Sequence, residues 1–256
     1  MRVIRNNKNI RRYAVGDIHG CFSHLLRALE WCSKDAAVDG VQAEVILLGD
    51  FVDKGPDTKS VVELLISGSP HSNLTLLPIK GNHDYLLHSI WHDPKHNLTG
   101  SWWENGGQQT LMSYGWSPLL DRVPGDLRDL VPREHADFLE QLPVLYETDD
   151  LFFVHAGLNH ERDIGDQVER DLLWIRGPFL TACHNFGKPV VHGHAPDANN
   201  PFVSDYRISL DAGCYGTGKL AIACFEPGER IPRTAVVKRN SIEERPQTEY
   251  SRAVDM

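Results

Sequence analysis

The sequence predicts an α/β fold, because three aliphatic runs, each followed by a glycine-bounded polar turn, recur at the spacing of strand–helix–strand units. The runs and their turns are Tyr13–Val15 before Gly16–Gly20, Val45–Leu48 before Gly49–Gly55, and Leu76–Ile79 before Gly81–Asp84. Asp17 lies 33 residues before Asp50, and Asp50 lies 32 residues before Asn82. This spacing indicates a parallel βαβαβ unit whose polar turns meet at the carboxyl ends of the strands, where open α/β sheets bind ligands.

The segments between these runs have the periodicity of amphipathic helices. Apolar residues at helical spacing are Leu25, Leu26, Ala28, Leu29 and Cys32 in the first segment and Val61, Val62, Leu64 and Leu65 in the second. A helix between two parallel strands makes a crossover connection, and such crossovers are almost always right-handed. We therefore expect both helices to cover one face of the parallel sheet.

The sequence changes character between about residues 85 and 148. This stretch is rich in His, Gly and Pro and contains Trp91, Trp102, Trp103 and Trp116. Residues 131–142 then show helical spacing. We expect a mostly helical insertion that covers one edge of the site and uses its tryptophans as a core. A wall of the substrate site is the alternative role for Trp102 or Trp103.

Strand patterns return in the second half of the chain. They are Leu151–Val154, Val190–Val191, Ile208–Leu210, Leu220–Ala223 and Thr234–Val237. Short strands joined by turns favour a second sheet over further crossover units. We expect a single domain over residues 1–237, followed by a polar, mobile tail over residues 238–256.

Charge and cysteine usage exclude several classes of protein. The chain of 256 residues has 26 Lys and Arg against 35 Asp and Glu, a formal net charge of −9, which argues against a nucleic-acid or membrane-surface binder. No apolar run is long enough to span a bilayer, and no signal-peptide core follows the basic start. The five cysteines contain no CxxC pair, which favours free thiols and a cytoplasmic location. The sequence leaves the oligomeric state open.

Six residues with neutral or anionic N/O donors follow strand-like runs. They are Asp17, His19, Asp50, Asn82, His155 and His194. A single histidine beside a strand is usually structural, but several histidines that each lie beside a turn glycine are typical of a metal site. Mixed imidazole and carboxylate ligands suit Mn, Fe, Zn or Ni better than Mg or Ca. We interpret Asp50, in the central turn, as a carboxylate shared by two divalent ions.

Five ordered motifs resemble the phosphoprotein phosphatase branch of the calcineurin-like metallophosphoesterases. They are Gly-Asp-x-His-Gly at 16–20, Gly-Asp-x-Val-Asp-Lys-Gly at 49–55, Gly-Asn-His-Asp at 81–84, His-Ala-Gly at 155–157 and Gly-His at 193–194. Segments 103–107 and 172–176 further resemble bacterial members of that branch. The resemblance covers about residues 13–225. It implies a β-sandwich of two mixed sheets flanked by helices.

The resemblance also implies roles for individual residues. One metal would be held by Asp17, His19 and Asp50, and the second by Asp50, Asn82, His155 and His194. His83 would protonate the leaving oxygen, with Asp53 orienting it, while Lys54, Arg176 and Asn82 would bind the phosphate. The implied cofactor is a pair of divalent transition-metal ions, with Mn²⁺ expected first and Fe, Zn or Ni as alternatives.

The implied reaction is hydrolysis of phosphomonoesters by direct attack of metal-bound hydroxide. The expected substrates are phosphoserine or phosphothreonine proteins or a small phosphoester. The alternative is a symmetrical diadenosine tetraphosphate hydrolase, a group that resembles this sequence near residues 210–214 but typically has alanine where Asp53 stands. An inactive phosphate-sensing scaffold is a remote alternative. Lys54 departs from the arginine usual in the family, and a lysine cannot make the planar two-point contact of a guanidinium with phosphate.

Overall fold

Two six-stranded sheets form the centre of the protein. The computed structural model describes residues 2–6, 8–97, 99–119, 126–181 and 186–246. The strands in these residues are β1 (Val3–Arg5), β2 (Arg11–Val15), β3 (Ala43–Leu47), β4 (Leu74–Pro78), β5 (Leu145–Glu147), β6 (Phe152–Val154), β7 (Val190–His192), β8 (Phe202–Val203), β9 (Arg207–Ser209), β10 (Leu220–Phe225), β11 (Arg233–Val237) and β12 (Ile242–Arg245).

Helices flank both sheets. They are α1 (Phe22–Val38), α2 (Thr58–Ser67), α3 (Asn82–His92), α4 (Thr99–Trp102), α5 (Gln108–Ser113), α6 (Arg133–Gln141), α7 (Glu169–Trp174), α8 (Gly177–Leu180) and α9 (Cys214–Thr217). A π-helical turn over Trp103–Gly107 joins α4 to α5, and 3₁₀ turns occupy Leu127–Asp129 and Ile164–Asp166. None of the helices in the described ranges is both long and apolar enough to cross a membrane.

The first sheet has the order β12–β11–β10–β2–β3–β4. Strands β2, β3 and β4 are parallel neighbours, as the βαβαβ pattern predicts, with α1 and α2 as the crossovers. Strand β10 pairs antiparallel with β2, and β11 and β12 continue the sheet in antiparallel fashion.

The second sheet has the order β1–β5–β6–β7–β9–β8. Strands β6, β7 and β9 run parallel, while β5 and β8 pair antiparallel with their neighbours. The prediction of two mixed sheets flanked by helices is therefore confirmed.

Alternate residues of strand β3 face two different cores. Val45 and Leu47 pack with the helices, whereas Ile46 packs in the cluster that also contains Phe153 and Ile208 of the second sheet. Successive side chains of a strand point to opposite faces, so a strand buried on both faces reads as a continuous apolar run. This explains the unbroken run that marks β3 in the sequence.

Three features of the fold differ from the sequence predictions. Strands β10 and β11 belong to the first sheet rather than the second, because β10 pairs with β2, which is distant in the sequence. The region predicted as a helical insertion ends in strand β5, whose three residues are too few to show a period. The predicted tail contains β12, an edge strand with mostly exposed polar side chains, so its sequence lacks the apolar signal of a strand. Residues 247–256 lie outside the described ranges.

The tryptophans of the insertion mostly form a core, as predicted. Trp102 is 1% exposed and Trp91 is 8% exposed. Trp103 is half-buried and lies with its ring centroid 5.4 Å from that of Trp116.

The four cysteines in the described residues, Cys21, Cys32, Cys214 and Cys224, are buried and form no disulfide bonds.

Phe153 offers a test of the core between the sheets. Its side chain is fully buried and makes edge-on contacts with Tyr146 and Phe225 at centroid distances of 6.0 and 5.9 Å. We expect Phe153→Ala to lower the free energy of unfolding by about 3–5 kcal/mol in urea denaturation, because it removes ring contacts and leaves a cavity. Leu119→Ala, at a side chain 92% exposed, should change it by less than about 0.5 kcal/mol. Equal effects in the two variants would contradict this assignment of the core.

Candidate metal centre and active site

The polar turns after strands of both sheets meet in one buried cluster. Strands β2, β3 and β4 of the first sheet and β6 and β7 of the second lead into it. The six predicted ligands are each at most 7% exposed: Asp17, His19, Asp50, Asn82, His155 and His194. The fold therefore brings the residues that were predicted in five separate turns together in one site.

The backbone of the cluster is strained. Five non-glycine residues of the described chain have positive φ, and all five belong to the predicted site: His19 (42°), Asp50 (52°), Asp53 (70°), Lys54 (64°) and His194 (62°). This left-handed region is costly for residues with a Cβ atom, and such strain concentrates at functional sites. The conformation turns the side chains at the strand ends towards a common point.

Asp50 lies between the two halves of the site. Its Oδ2 is 3.4 Å from His19 Nε2, and its Oδ1 is 3.3 Å from His155 Nε2. The Oδ1 atom also accepts a hydrogen bond of 3.0 Å from the backbone N–H of His83. One carboxylate therefore presents a different oxygen to each histidine, which is the arrangement that a shared metal ligand needs.

Backbone carbonyls select the tautomers of two histidines. His19 Nδ1 lies 2.8 Å from the carbonyl oxygen of Val52, and His155 Nδ1 lies 2.8 Å from that of Leu48. A carbonyl can only accept, so each Nδ1 carries the hydrogen and each Nε2 presents a lone pair to the site. Burial lowers the pKa of His19 to about 3 and also lowers the pKa of His155, so both rings are neutral near pH 7.

Asp17 joins the cluster from the first turn. Its two carboxylate oxygens accept the backbone N–H of His194 at 3.1 and 3.3 Å. Burial, together with the charges of Asp211 and Asp50, raises the pKa of Asp17 well above its usual value. Burial also raises the pKa of Asp211 to about 6. Both carboxyl groups are therefore easier to protonate than an exposed aspartate.

The donor set fits a pair of divalent cations. His155 Nε2, which has no hydrogen in its tautomer, lies 2.9 Å from Asn82 Oδ1 and 3.3 Å from Asp50 Oδ1. Atoms that all present lone pairs repel one another unless a cation lies among them. Candidate metal groups in the described residues include His19 with Asp50 and His83, and Asp50 with His155 and His194.

The ring of His83 is oriented by the carboxylate of Asp53, which is in turn fixed by two further hydrogen bonds. His83 Nδ1 lies 2.7 Å from Asp53 Oδ2, while Asp53 Oδ1 accepts from Trp102 Nε1 at 3.0 Å and from Thr110 Oγ1 at 2.6 Å. Burial opposes protonation of His83, but the charge of Asp50 and the hydrogen bond to Asp53 outweigh it and raise the pKa of His83. With Nδ1 occupied, Nε2 is the atom left to exchange a proton.

Lys54 and Arg176 approach opposite ends of the cluster. Lys54 Nζ lies 2.9 Å from His19 Nε2 and 4.9 Å from the ring centroid of Tyr215, a half-exposed residue. Arg176 Nε donates to His194 Nε2 at 3.1 Å. Burial lowers the pKa of His194 to about 3, so this ring is neutral as well.

Two turn glycines make the close approach of the ligand loops possible. A Cβ atom on Gly193 would lie 1.9 Å from Asp17 Oδ1, and one on Gly81 would lie 2.1 Å from the backbone nitrogen of Asp50. Neither clash could be relieved without moving a predicted ligand. These glycines belong to the motifs that the sequence analysis used.

Several residues support the site without being predicted ligands or catalytic groups. Asp84 accepts the backbone N–H groups of Phe51 and Gly81 at 2.9 and 2.8 Å and so ties the second turn to the third. Thr110 also accepts the backbone N–H of Asp53 at 3.0 Å. Thr110 and Asp211 are far from their partners in sequence, and a lone Thr or Asp has no pattern that reveals such a contact. His192 is fully buried and its Nδ1 lies 2.9 Å from the carbonyl oxygen of Gly193.

Comparison with known proteins identifies the family to which this chain belongs. The model of the calcineurin-like phosphoesterase family matches residues 10–225. A symmetrical bis(5'-nucleosyl)-tetraphosphatase of Dechloromonas aromatica is 30% identical over 172 residues, which are 65% of this chain and 51% of that protein. The chain therefore spans about half the length of this relative.

Other relatives match over more of their length. A protein of the same description from Yersinia pestis is 30% identical over 86% of this chain and 70% of its own. The asymmetrical bis(5'-nucleosyl)-tetraphosphatase PrpE of Bacillus cereus is 25% identical over 87% of this chain and 91% of its own.

Solved structures show the same fold. A candidate diadenosine tetraphosphatase superposes with a TM-score of 0.60 at 25% identity and covers 94% of this chain and 99% of that one. A serine/threonine phosphatase from Saccharomyces cerevisiae superposes with a TM-score of 0.56 at 14% identity over 94% and 84% of the two chains, a likeness of fold alone. With the family model covering most of its length, this chain is a member of the calcineurin-like phosphoesterase family.

Proposed function

We propose that this protein hydrolyses a phosphoanhydride bond of dinucleoside polyphosphates such as diadenosine tetraphosphate. The observation that carries the proposal is the pair of histidines facing the two oxygens of Asp50, beside an oriented acid, His83. The substrate class is supported by the relatives, whose descriptions name bis(5'-nucleosyl)-tetraphosphates. This ranking reverses the expectation from the sequence, which favoured phosphoproteins.

Two divalent ions, with Mn²⁺ as the first candidate, would occupy the site. Asp17, His19 and Asp50 would hold one, and Asp50, Asn82, His155 and His194 the other. When bound, such a pair supplies an activated water and neutralises phosphate charge. The neutral imidazoles are suited to this role, since a protonated ring cannot ligate.

His83 would act as the general acid. The Asp53 carboxylate occupies Nδ1, so the Nε2 proton is the one delivered to the leaving phosphate oxygen. Trp102 and Thr110 hold the second oxygen of Asp53, which fixes the plane of the carboxylate and therefore of the ring. A terminal phosphate leaving group is a weaker base than an alkoxide, so protonation by His83 accelerates its departure less.

Lys54, Arg176 and Asn82 would bind the reacting phosphate. Lys54 and Arg176 add two positive charges from opposite ends of the cluster, and a polyphosphate is attracted although the whole protein is acidic. The ammonium of Lys54 contacts phosphate as a point charge, and Arg176 would supply the directional hydrogen bonds.

A protein phosphatase is the second candidate function. It is favoured by Asp53, because the symmetrical tetraphosphatases that the sequence resembles typically have alanine at this position. An oriented, protonated His83 is most useful when the leaving group is the strongly basic alkoxide of serine or threonine. The two candidates share all of the proposed metal ligands and differ in what lies beyond them.

A side-by-side assay separates the two candidates. One Mn²⁺-loaded preparation is given diadenosine tetraphosphate, a phosphoserine peptide and p-nitrophenyl phosphate. We expect kcat/KM for the dinucleotide to exceed that for the peptide by at least about tenfold, since the relatives act on such substrates. Formation of either two ADP or ATP plus AMP counts as hydrolysis of the dinucleotide. Turnover by the His83→Asn variant measures the contribution of any contaminating phosphatase. The reverse ranking would favour the protein phosphatase.

Metal removal tests the proposed cofactor. Chelator-stripped protein should lose turnover of p-nitrophenyl phosphate and regain it with Mn²⁺, and the added metal should raise the Tm. Binding at about 100 times the Kd stabilises a protein by about 2.7 kcal/mol for each site. Asp50→Asn should show neither the rescue nor the rise, because it removes the shared charge. Full activity in chelator would refute the metal assignment.

Asp53→Asn tests the role of His83 through pH. Asp53 raises the pKa of His83, so its loss lowers that pKa. A general acid works only while protonated, and activity therefore falls as pH rises through its pKa. We expect the alkaline limb of the kcat/KM profile to move to lower pH in the variant, with phenyl phosphate turnover reduced about 100-fold. Exposed Asp163→Asn is the matched control, and an unmoved limb would exclude the proposed pair.

A further inference from the structure

A cavity beside strands β8 and β9 of the second sheet is linked to the metal cluster through Arg176. It has a volume of about 390 Å³, within the range of about 300–1,000 Å³ that is typical of small-molecule sites. Its lining includes Arg176, Asp197, Asn200, Phe202 and Arg207. We call it the arginine pocket, and none of the roles assigned above uses it except through Arg176.

Arg207 is the unusual residue of the arginine pocket. Its Nε is buried and has no hydrogen-bond partner, and no carboxylate of the described ranges forms an ion pair with its guanidinium. Its guanidinium carbon lies 4.3 Å from the ring centroid of Phe202. Burial lowers the pKa of Arg207, against a hydrogen bond with Tyr206 that raises it. A partly buried arginine without a counter-ion is suited to receive an anion.

Arg176 connects this pocket with the metal cluster. Its Nε and Nη2 donate to the Nε2 and the carbonyl oxygen of His194, while the same side chain lines the arginine pocket. A chain of phosphates bound at the metals could therefore continue past Arg176 towards Arg207. The two guanidinium groups would meet successive phosphates of one ligand.

The rest of the lining suits a nucleoside better than a bare ion. Phe202 is 39% exposed and presents an aromatic face beside Arg207. The carboxylate of Asp197, on an exposed loop, is engaged through Oδ1 with Asn199 and can accept hydroxyl groups through Oδ2. Asn200 is fixed by its bonds to Ser209 Oγ and the carbonyl oxygen of Asp211, at 3.1 and 2.6 Å. An aromatic face, a hydroxyl acceptor and an arginine are the elements of a nucleotide site.

We propose that the arginine pocket binds the phosphate and nucleoside of the substrate that lie beyond the reacting phosphate, with Arg207 as the residue that pairs with that phosphate. This inference deepens the proposed function and rests on it for the identity of the substrate. It accounts for a substrate longer than a phosphomonoester, and it makes Arg207 a specificity-determining residue.

The test compares long and short ligands in wild-type and Arg207→Gln protein loaded with Mn²⁺. The ratio of kcat/KM for diadenosine tetraphosphate to that for p-nitrophenyl phosphate should fall about tenfold in the variant, because only the dinucleotide is long enough to reach the pocket. In a second assay ADP and inorganic phosphate inhibit p-nitrophenyl phosphate turnover. The ratio of the two inhibition constants, ADP over phosphate, should rise about tenfold.

Two further variants control the result. Arg5→Gln removes a 70% exposed arginine on β1, at the opposite edge of the same sheet, and should change neither ratio. Asp197→Asn weakens the proposed acceptor of the nucleoside hydroxyl groups without emptying the interior, so ADP should bind about two- to threefold more weakly relative to phosphate. This second variant tests the pocket even if Arg207→Gln fails to fold.

The outcomes separate this inference from the proposed function. Unchanged ratios in both Arg207→Gln and Asp197→Asn would overturn the pocket. If the wild type hydrolyses p-nitrophenyl phosphate but not the dinucleotide, the proposed function fails. The ADP ratios then decide the pocket alone, since that assay needs no dinucleotide turnover.

Discussion

The left-handed backbone at five ligand-bearing or neighbouring residues is the constraint on which the rest of the site depends. Each such residue costs about 1–3 kcal/mol. Hydrogen bonds between turns hold the conformation: His19 N–H donates to the Asp50 carbonyl at 2.8 Å, and Gly20 N–H to that of Phe51 at 3.0 Å. Asp84 fastens the third turn to the second. The turns support one another, so the strain persists only while all of them are folded.

The sandwich makes this mutual support possible. Three turns come from parallel strands of the first sheet, and the turns with His155 and His194 come from parallel strands of the second. The core between the sheets, with Ile46 on one side and Phe153 on the other, sets the distance between the two groups of ligands. Asp50 lies where the groups meet. A small change in sheet separation would therefore move one histidine away from its carboxylate oxygen.

The sequence was informative where function and local pattern coincide. An apolar run followed by a glycine-bounded polar turn identified Asp17, Asp50 and Asn82, because both the strand and the turn are visible within ten residues. It was uninformative for Thr110, whose partner Asp53 lies 57 residues away, and for Asp211, whose partner Asp17 lies in the first turn. Strand β12 escaped because a polar edge strand has no apolar period, and the assignment of β10 to the first sheet depends on a pairing of distant segments.

Substrate choice is not encoded in the residues that the motifs identify. The pairing of Asp50 with two histidines and of His83 with Asp53 serves any phosphoester, whether its leaving group is an alkoxide or a phosphate. Discrimination therefore requires groups that contact the substrate beyond the reacting phosphate. Arg207 has no motif of its own, since a single arginine at the start of a short strand carries no pattern. It becomes visible only when the fold brings β9 beside Arg176 and leaves its guanidinium without a carboxylate partner. The chemistry of this protein can thus be read from its turns, while its specificity must be read from the packed structure.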